Sequence, residues 1–294
     1  MVKKWHTTTV IAYSVLIIYA VLSLGPFIWA FLVSITPMNY LSQGKRVGVN
    51  IMQWPPDINL FTFPPKIFGA PATLHNYVKV FQVVPFARWI INTLIYAGIT
   101  TIGNLIFDAF AGYAFAKIRF PGRELIFSLL LATLMIPGQI TIIPVYNLMV
   151  KYNLVNTYYG LFLPGIVSVT GIFLMRQFYM SIPNEIEEAA KIDGAGIFRR
   201  FFQIASPMAK PAFATLAIYT FLGKWNDFMW PLIITSDKSM FTLTMGLNFF
   251  KTSYYTFWQM MMAASILMTI PMLIIFLSFQ RQFVETGVTS AVKG

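Results

Sequence analysis

Charged residues are so sparse along this chain that their positions divide it into long apolar blocks. Residues 5–44 carry no charge and have an apolar core at 10–35, while residues 89–107 are charge-free and continue past Asp108 to 116. Blocks 125–150, 152–175 and 252–280 are likewise uncharged, and block 211–236 is interrupted only by Lys224 and Asp227. A membrane-spanning helix needs about 20 apolar residues, so these blocks predict six transmembrane helices. Transmembrane strands would instead alternate over segments of about ten residues, and no such pattern is visible. Prolines Pro137, Pro144, Pro164 and Pro271 fall inside the blocks and predict kinks, tolerated where neighbours or water satisfy the freed carbonyls.

Two polar stretches separate the blocks. Residues 36–88 contain "QWPPDINLFTFPPKIFGAP", rich in proline and aromatics, for which irregular structure with one short helix over 75–82 is expected. This stretch is either a cap on the bundle or a docking surface. The other stretch, "EIEEAAKIDGAGIFRRFFQIASP" at 185–207, gathers many of the chain's charges. Pro183 suits a first helical turn. Glu185, Glu187 and Glu188 would then lie near the positive end of the helix dipole, with Glu187 and Lys191 at i, i+4 spacing. A short helix is therefore predicted over 183–192. Gly194 is suited to end it in the left-handed conformation, and a second helix over 197–205 carries Phe198, Phe201, Phe202 and Ile204. Ala189, Ala190, Gly194, Ala195 and Gly196 leave room for a neighbouring backbone. The hairpin is either a seat for a soluble partner or an amphipathic connector between two spans.

Composition makes the membrane reading firm. Of 294 residues, 57% are hydrophobic and 11% charged, with a mean hydropathy of +0.67, whereas soluble domains carry about a quarter charged residues. The expected class is an all-α membrane protein, multi-pass and in contact with lipid. The absence of cysteine removes disulfides and thiolate sites, and His6 and His75 are too far apart to suggest a metal site. A net charge of +11 would suggest nucleic acid in a soluble protein. Here basic cytoplasmic loops explain it, and no nucleic-acid partner is expected. Counting Lys and Arg outside the long loop puts both termini and the loop 181–210 in the cytoplasm and 36–88 outside. The apolar run after Lys3 and Lys4 is longer than a cleavable signal's core and is expected to stay as an anchor. The organisation is then a tail and first helix at 1–35, an extracytoplasmic loop at 36–88, a core at 89–283 and a cytoplasmic tail at 284–294. The outer loop holds Lys45, Arg46, Lys66, Lys79 and Arg88 against Asp57, a balance suited to an acidic partner or substrate.

The stretch "EEAAKIDGAGIFRRFFQIASP" resembles the EAA motif of binding-protein-dependent ABC importers, with Glu188, Ala189, Ala190, Gly194, Ile204 and Pro207 at the family spacing. Ser206 departs from it, since leucine usually precedes that proline. "AGYAFAKIRFPGR" (111–123), "LMIPGQITIIPVYNLM" (134–149), "WNDFMWPL" (225–232) and the final "AVKG" resemble maltose-type carbohydrate permeases, specifically the shorter six-span subunit. The resemblance covers about 89–294 and implies a type I ABC importer permease fold, a second homologous permease subunit and two ATP-binding subunits. It also implies the cytoplasmic (inner) membrane as the location, and an extracytoplasmic solute-binding protein that delivers an oligosaccharide. ATP and Mg would belong to the partner subunits, with no cofactor and no catalysis on this chain, which lacks a G-x-x-x-x-G-K-[ST] motif. On the same resemblance Glu187, Glu188, Ala189, Ala190, Asp193, Gly194, Ala195, Arg199, Lys293 and Gly294 would contact an ATP-binding subunit. Tyr254, Tyr255, Phe257 and Trp258 would meet the binding protein.

Polar residues inside the blocks are costly in hydrocarbon and should face the bundle interior or a watery cavity. Lys224 and Asp227 either form a structural ion pair or, with Asn226, line a sugar path on which Trp225 or Trp230 stacks. Asp108 is expected to make a packed polar contact. The rival reading is an ion-gradient-driven secondary transporter with Asp108 and Asp227 as ion ligands; inverted repeats and broken half-helices would favour it, and no repeat is visible.

Overall fold

The computed structural model describes residues 7–42, 45–251 and 256–291, and these are mostly helical. They divide into two compact units, 1–86 with 247–273 and 87–246 with 274–294. The first unit begins with α1 (Thr7–Ser34), whose apolar side chains are exposed along nearly its whole length. A helix that is hydrophobic all round is a membrane span. Its last turn is anchored where Val33 packs with Ile67, Phe68 and Trp258. The Asn76 amide donates to the carbonyls of Ser34 (2.7 Å) and Thr36 (2.8 Å), which have no partner within the helix.

Residues 39–71 are more ordered than expected. Strands β1 (Asn39–Ser42) and β2 (Lys45–Gly48) form an antiparallel hairpin. β3 (Ile58–Asn59), β4 (Lys66–Ile67) and β5 (Ala70–Pro71) form a small antiparallel sheet. Prolines at 55, 56, 64 and 65 supply no N–H to a ladder, which keeps the strands of that sheet to two residues. The expected short helix is present as α2 (His75–Val83).

In the second unit α3 (Phe86–Lys117) is a long unbroken helix. The next two apolar blocks are not straight. α4 (Arg123–Thr133) and α5 (Gly138–Lys151) meet at 98°, with Pro137 at the break; the residue before a proline is driven out of helical geometry. α6 (Tyr158–Phe162) runs through a 3₁₀ turn (Leu163–Gly165) and meets α7 (Val169–Met180) at 43°. Then come α8 (Asn184–Ile192), α9 (Ile197–Arg200), a π-helical turn (Phe201–Ala205), α10 (Ser206–Met208) and α11 (Lys210–Trp225). α12 (Met229–Ile234) and α13 (Leu243–Gly246) follow, and α14 (Trp258–Ala291) runs through both units. Pro144 and Pro271 lie inside α5 and α14.

Three described helices are long and apolar enough to cross a membrane, and the two bent pairs raise the number to five. The block at 211–236 is interrupted: α11 has 16 residues, short of the roughly 20 a crossing needs, and the chain leaves helical geometry at Asn226–Phe228. Close packing of α3 on α7 rests on glycine. A Cβ at Gly112 would lie 2.6 Å from Met175 Cβ and 2.8 Å from the Arg176 nitrogen, and one at Gly103 would collide with Ile166. Small residues let helix backbones approach in this way within a bilayer.

Candidate functional site: a hairpin with two faces

The charged stretch folds as a helical hairpin. Pro183 precedes α8, and Glu185 and Glu187 occupy its first turn. Gly194 has φ +77°, the left-handed conformation expected of it, and the Ala195 N–H returns to the Ala190 carbonyl at 2.9 Å. This closure satisfies a carbonyl of the last turn. Among the described residues nothing lies within 4 Å of a Cβ built on Gly194, so the demand for glycine there is conformational. The second arm departs from the expected single helix, because a π turn follows its first four residues. Such wider turns recur at functional sites.

One face of the hairpin points into the unit. Glu187 is 5% exposed, accepts from the Tyr113 hydroxyl at 3.0 and 3.1 Å, and pairs with Arg200 Nη1 at 3.2 Å. Its expected partner, Lys191, is not among the groups it pairs with, and it is not at the surface with Glu188. One turn further along α3, Lys117 Nζ donates to the Ile182 carbonyl (2.6 Å) and to Asn184 Oδ1 (2.8 Å). Phe201 is buried and stacks on Phe110 with ring centroids 4.4 Å apart, Ala205 is buried in the same cluster, and Ala190 is buried as well. Tyr113, Lys117 and Arg200 were not singled out by the sequence pattern. The available signal was that Tyr113 and Lys117 stand one turn apart at the polar end of an apolar block.

The other face is open. Glu188, Ala189, Asp193, Gly194 and Arg199 are exposed, and Ala195 is half-buried. Between the charges stand apolar side chains in the open, most of all Ile192 at 86% and Phe198 at 71%. Neighbouring carboxylates thus have opposite fates, since consecutive residues of a helix lie about 100° apart. Lys293 and Gly294 lie outside the described residues, as do Tyr254 and Tyr255. Phe257 donates its N–H to the Phe250 carbonyl, and Trp258 packs with Val33, Ile67 and Phe68, the role of an anchor rather than a free aromatic.

The intramembrane polar residues form a seam along α3. Tyr96, Thr100, Asn104 and Asp108 recur every four residues and so share a face. Tyr96 donates to Asp227 Oδ2 at 2.6 Å, and Lys224 Nζ is 3.9 Å from the same oxygen. The other Asp227 oxygen accepts from the Trp230 N–H at 3.4 Å. Asn104 donates to the Gly165 carbonyl at 2.8 Å and accepts from Thr220 at 3.2 Å. Asp108 accepts from the Ser168 N–H (2.9 Å) and hydroxyl (2.8 Å), while the Ser168 hydroxyl accepts from the Gly171 N–H and caps α7. This is the packed contact expected of Asp108. The seam therefore satisfies the backbone at the breaks of two interrupted helices. Trp225 is fully buried and its indole N–H has no partner among the described residues. Trp230 donates to the Gly160 and Leu161 carbonyls, and only Asn226 of this group is exposed. The two aspartates that a gradient-driven transporter would use as ion ligands are each bonded to protein groups, although the broken helices such a transporter favours are present.

Apolar helices able to span a bilayer, joined by a polar hairpin with one exposed face, define an integral membrane protein. Residues 109–285 match the model of the family described as "Binding-protein-dependent transport system inner membrane component", and the chain belongs to that family, whose members are inner-membrane subunits. It is 34% identical over 276 residues to the arabinooligosaccharides transport system permease protein AraQ of Bacillus subtilis (strain 168), covering 94% of this chain and 92% of that one. It is 37% identical over 242 residues to the sn-glycerol-3-phosphate transport system permease protein UgpE of Yersinia pestis, covering 80% and 86%. The fold resembles a chain in the crystal structure of a bacterial ABC transporter involved in import of the acidic polysaccharide alginate. That likeness has a TM-score of 0.75 at 21% identity and covers 94% of this chain and 98% of that one.

Proposed function

We propose that this chain is the permease subunit of an ATP-driven importer that passes oligosaccharides from an extracytoplasmic binding protein across the cytoplasmic membrane. The observation that carries the reading is the exposed face of the hairpin, which carries the charges Glu188, Asp193 and Arg199 together with the apolar Ile192 and Phe198. A connector lying in water has no reason to present two large apolar groups in the open; a seat for a soluble subunit does. That subunit is one of two ATP-binding partners, which hold ATP and Mg, and this chain is no enzyme itself. A second permease subunit completes the pathway, because the described spans are too few to enclose one.

The full proposal has six crossings with both termini cytoplasmic, the hairpin inside and residues 36–88 outside. It is supported by the bias of Lys and Arg. The permease relatives named for arabinooligosaccharides and for sn-glycerol-3-phosphate span neutral and anionic cargo. For this chain an acidic oligosaccharide is proposed, since Lys45 and Lys66 are exposed on the outer loop.

The test uses the whole complex in vesicles with Glu188→Arg and Gly194→Val. The latter forces a β-branched side chain into left-handed geometry at a cost of about 1–3 kcal/mol. Both chains should remain in the membrane at parental abundance while the ATP-binding subunits fail to co-purify and uptake is lost. Retained co-purification and uptake in both variants would reduce the hairpin to a connector. Faster uptake of uronate-type than of neutral oligosaccharides supports the acidic cargo, and the reverse order refutes it.

A further inference from the structure

The inner face of the hairpin carries a device that docking does not need. Docking requires exposed groups, yet Glu187 is turned away from the free face and bound at two places: to Tyr113 on α3 and to Arg200 on the second arm. Lys117 holds the entry to α8 from the same side of α3, so that helix grips the hairpin at two points one turn apart. Tyr113 also packs edge-on against Tyr179 (5.5 Å) and Phe201 (5.3 Å), which ties in the end of α7 and the π turn. Further along, the glycine contact at Gly112 locks α3 to α7. The end of α7 and both arms of the hairpin therefore meet at the last turns of α3. The groups bonded to the Glu187 carboxylate are one hydroxyl and one guanidinium, with the Lys117 ammonium near enough to add its charge, a combination that holds a buried carboxylate in one orientation.

We propose that Tyr113, Glu187 and Arg200 form a rigid joint by which motion of the hairpin is passed to α3, with Glu187 a positioning residue and not a docking one. The inference rests on the reading that the outer face seats an ATP-binding subunit. Motion imposed on that face by ATP binding reaches the spans only if the hairpin cannot pivot on its own arms. The ion pair across the two arms prevents the arms from splaying, and the tyrosine hydroxyl prevents the pair from sliding along α3. The seam higher on α3, from Tyr96 to Asp108, extends the same body to the breaks near Gly165 and Asp227.

The chain has no cysteine, so spin labels placed at Arg119→Cys, two residues past the end of α3, and at Lys191→Cys, in the exposed last turn of α8, report one distance between the two helices. In the assembled complex this distance should remain single and unchanged between the nucleotide-free and ATP-trapped states. A distance that shifts or splits between those states in the parental complex overturns the joint, whatever the variants do. Glu187→Gln, which loses the charge pair but keeps an acceptor for Tyr113, and Glu187→Leu, which loses both, should broaden it in that order. Sugar moved per ATP hydrolysed should fall by about two- to thirtyfold, with the ATP-binding subunits still bound. A purely structural role would lower abundance and leave that ratio alone, and that outcome also overturns the proposal. Failure of the parental chain to bind ATP-binding subunits registers separately, and overturns the docking reading on which the joint depends.

Discussion

The two polar regions of α3 use similar chemistry to different ends. In the seam the charged and amide side chains meet other protein groups: Asp108 meets Ser168, Asn104 meets Gly165 and Thr220, and Asp227 meets Tyr96, Lys224 and Trp230, while the Thr100 hydroxyl is buried without a hydrogen-bond partner among the described residues. At the hairpin only one face is closed, by Tyr113, Lys117 and Arg200, and the other is left with charges around Ile192 and Phe198. A closed polar network in a membrane satisfies broken backbone and fixes a fold. A half-closed one leaves its exposed groups for another chain. The presence of charge in an apolar protein therefore does not by itself mark function; the proposed docking needs a face left open.

The comparison breaks most readily at the glycine contact. Gly112→Leu would put a branched side chain against Met175 and the Arg176 backbone, where a Cβ alone already comes within 2.6 Å of Met175 Cβ. Over-packing costs about 1–3 kcal/mol or more. The expected outcome is loss of folded chain from the membrane, read as abundance and heat stability of the detergent-solubilised protein. Normal abundance would mean that α3 and α7 do not pack as described. A smaller effect is expected for Asp108→Ala, which leaves the Ser168 N–H without its carboxylate at about 1–3 kcal/mol. Heat stability should fall while the complexes that form still bind their ATP-binding subunits at the parental ratio. Loss of those subunits with stability unchanged would place Asp108 in the docking function and erase the distinction between seam and hairpin.

Much of this was readable from local rules. The helix at α2, the left-handed Gly194, the packed role of Asp108 and the 3.9 Å approach of Lys224 and Asp227 each follow from spacing or residue type. The orientation of Glu187 did not, because an i, i+4 rule compares neighbours on one helix while Tyr113 lies 74 positions away. Hydropathy counts charges and not dihedral angles, so it joined α4 to α5 across a 98° bend and carried α11 past Trp225. The sheet of β3, β4 and β5 escaped for another reason: strands of two residues are too short for alternation to appear. Nothing in the composition separates a π turn from an α turn at Phe201–Ala205.

The central claim, that the open face of the hairpin is covered by an ATP-binding subunit, can be tested at single positions because the chain lacks cysteine. Ile192→Cys and Phe198→Cys would be labelled with a maleimide in the solubilised chain alone and again in the assembled complex, with the exposed Lys66→Cys of β4 as the reference. The account predicts strong slowing at 192 and 198 on addition of the ATP-binding subunits and no change at 66. Equal labelling rates at 192 and 198 in the two preparations would contradict it.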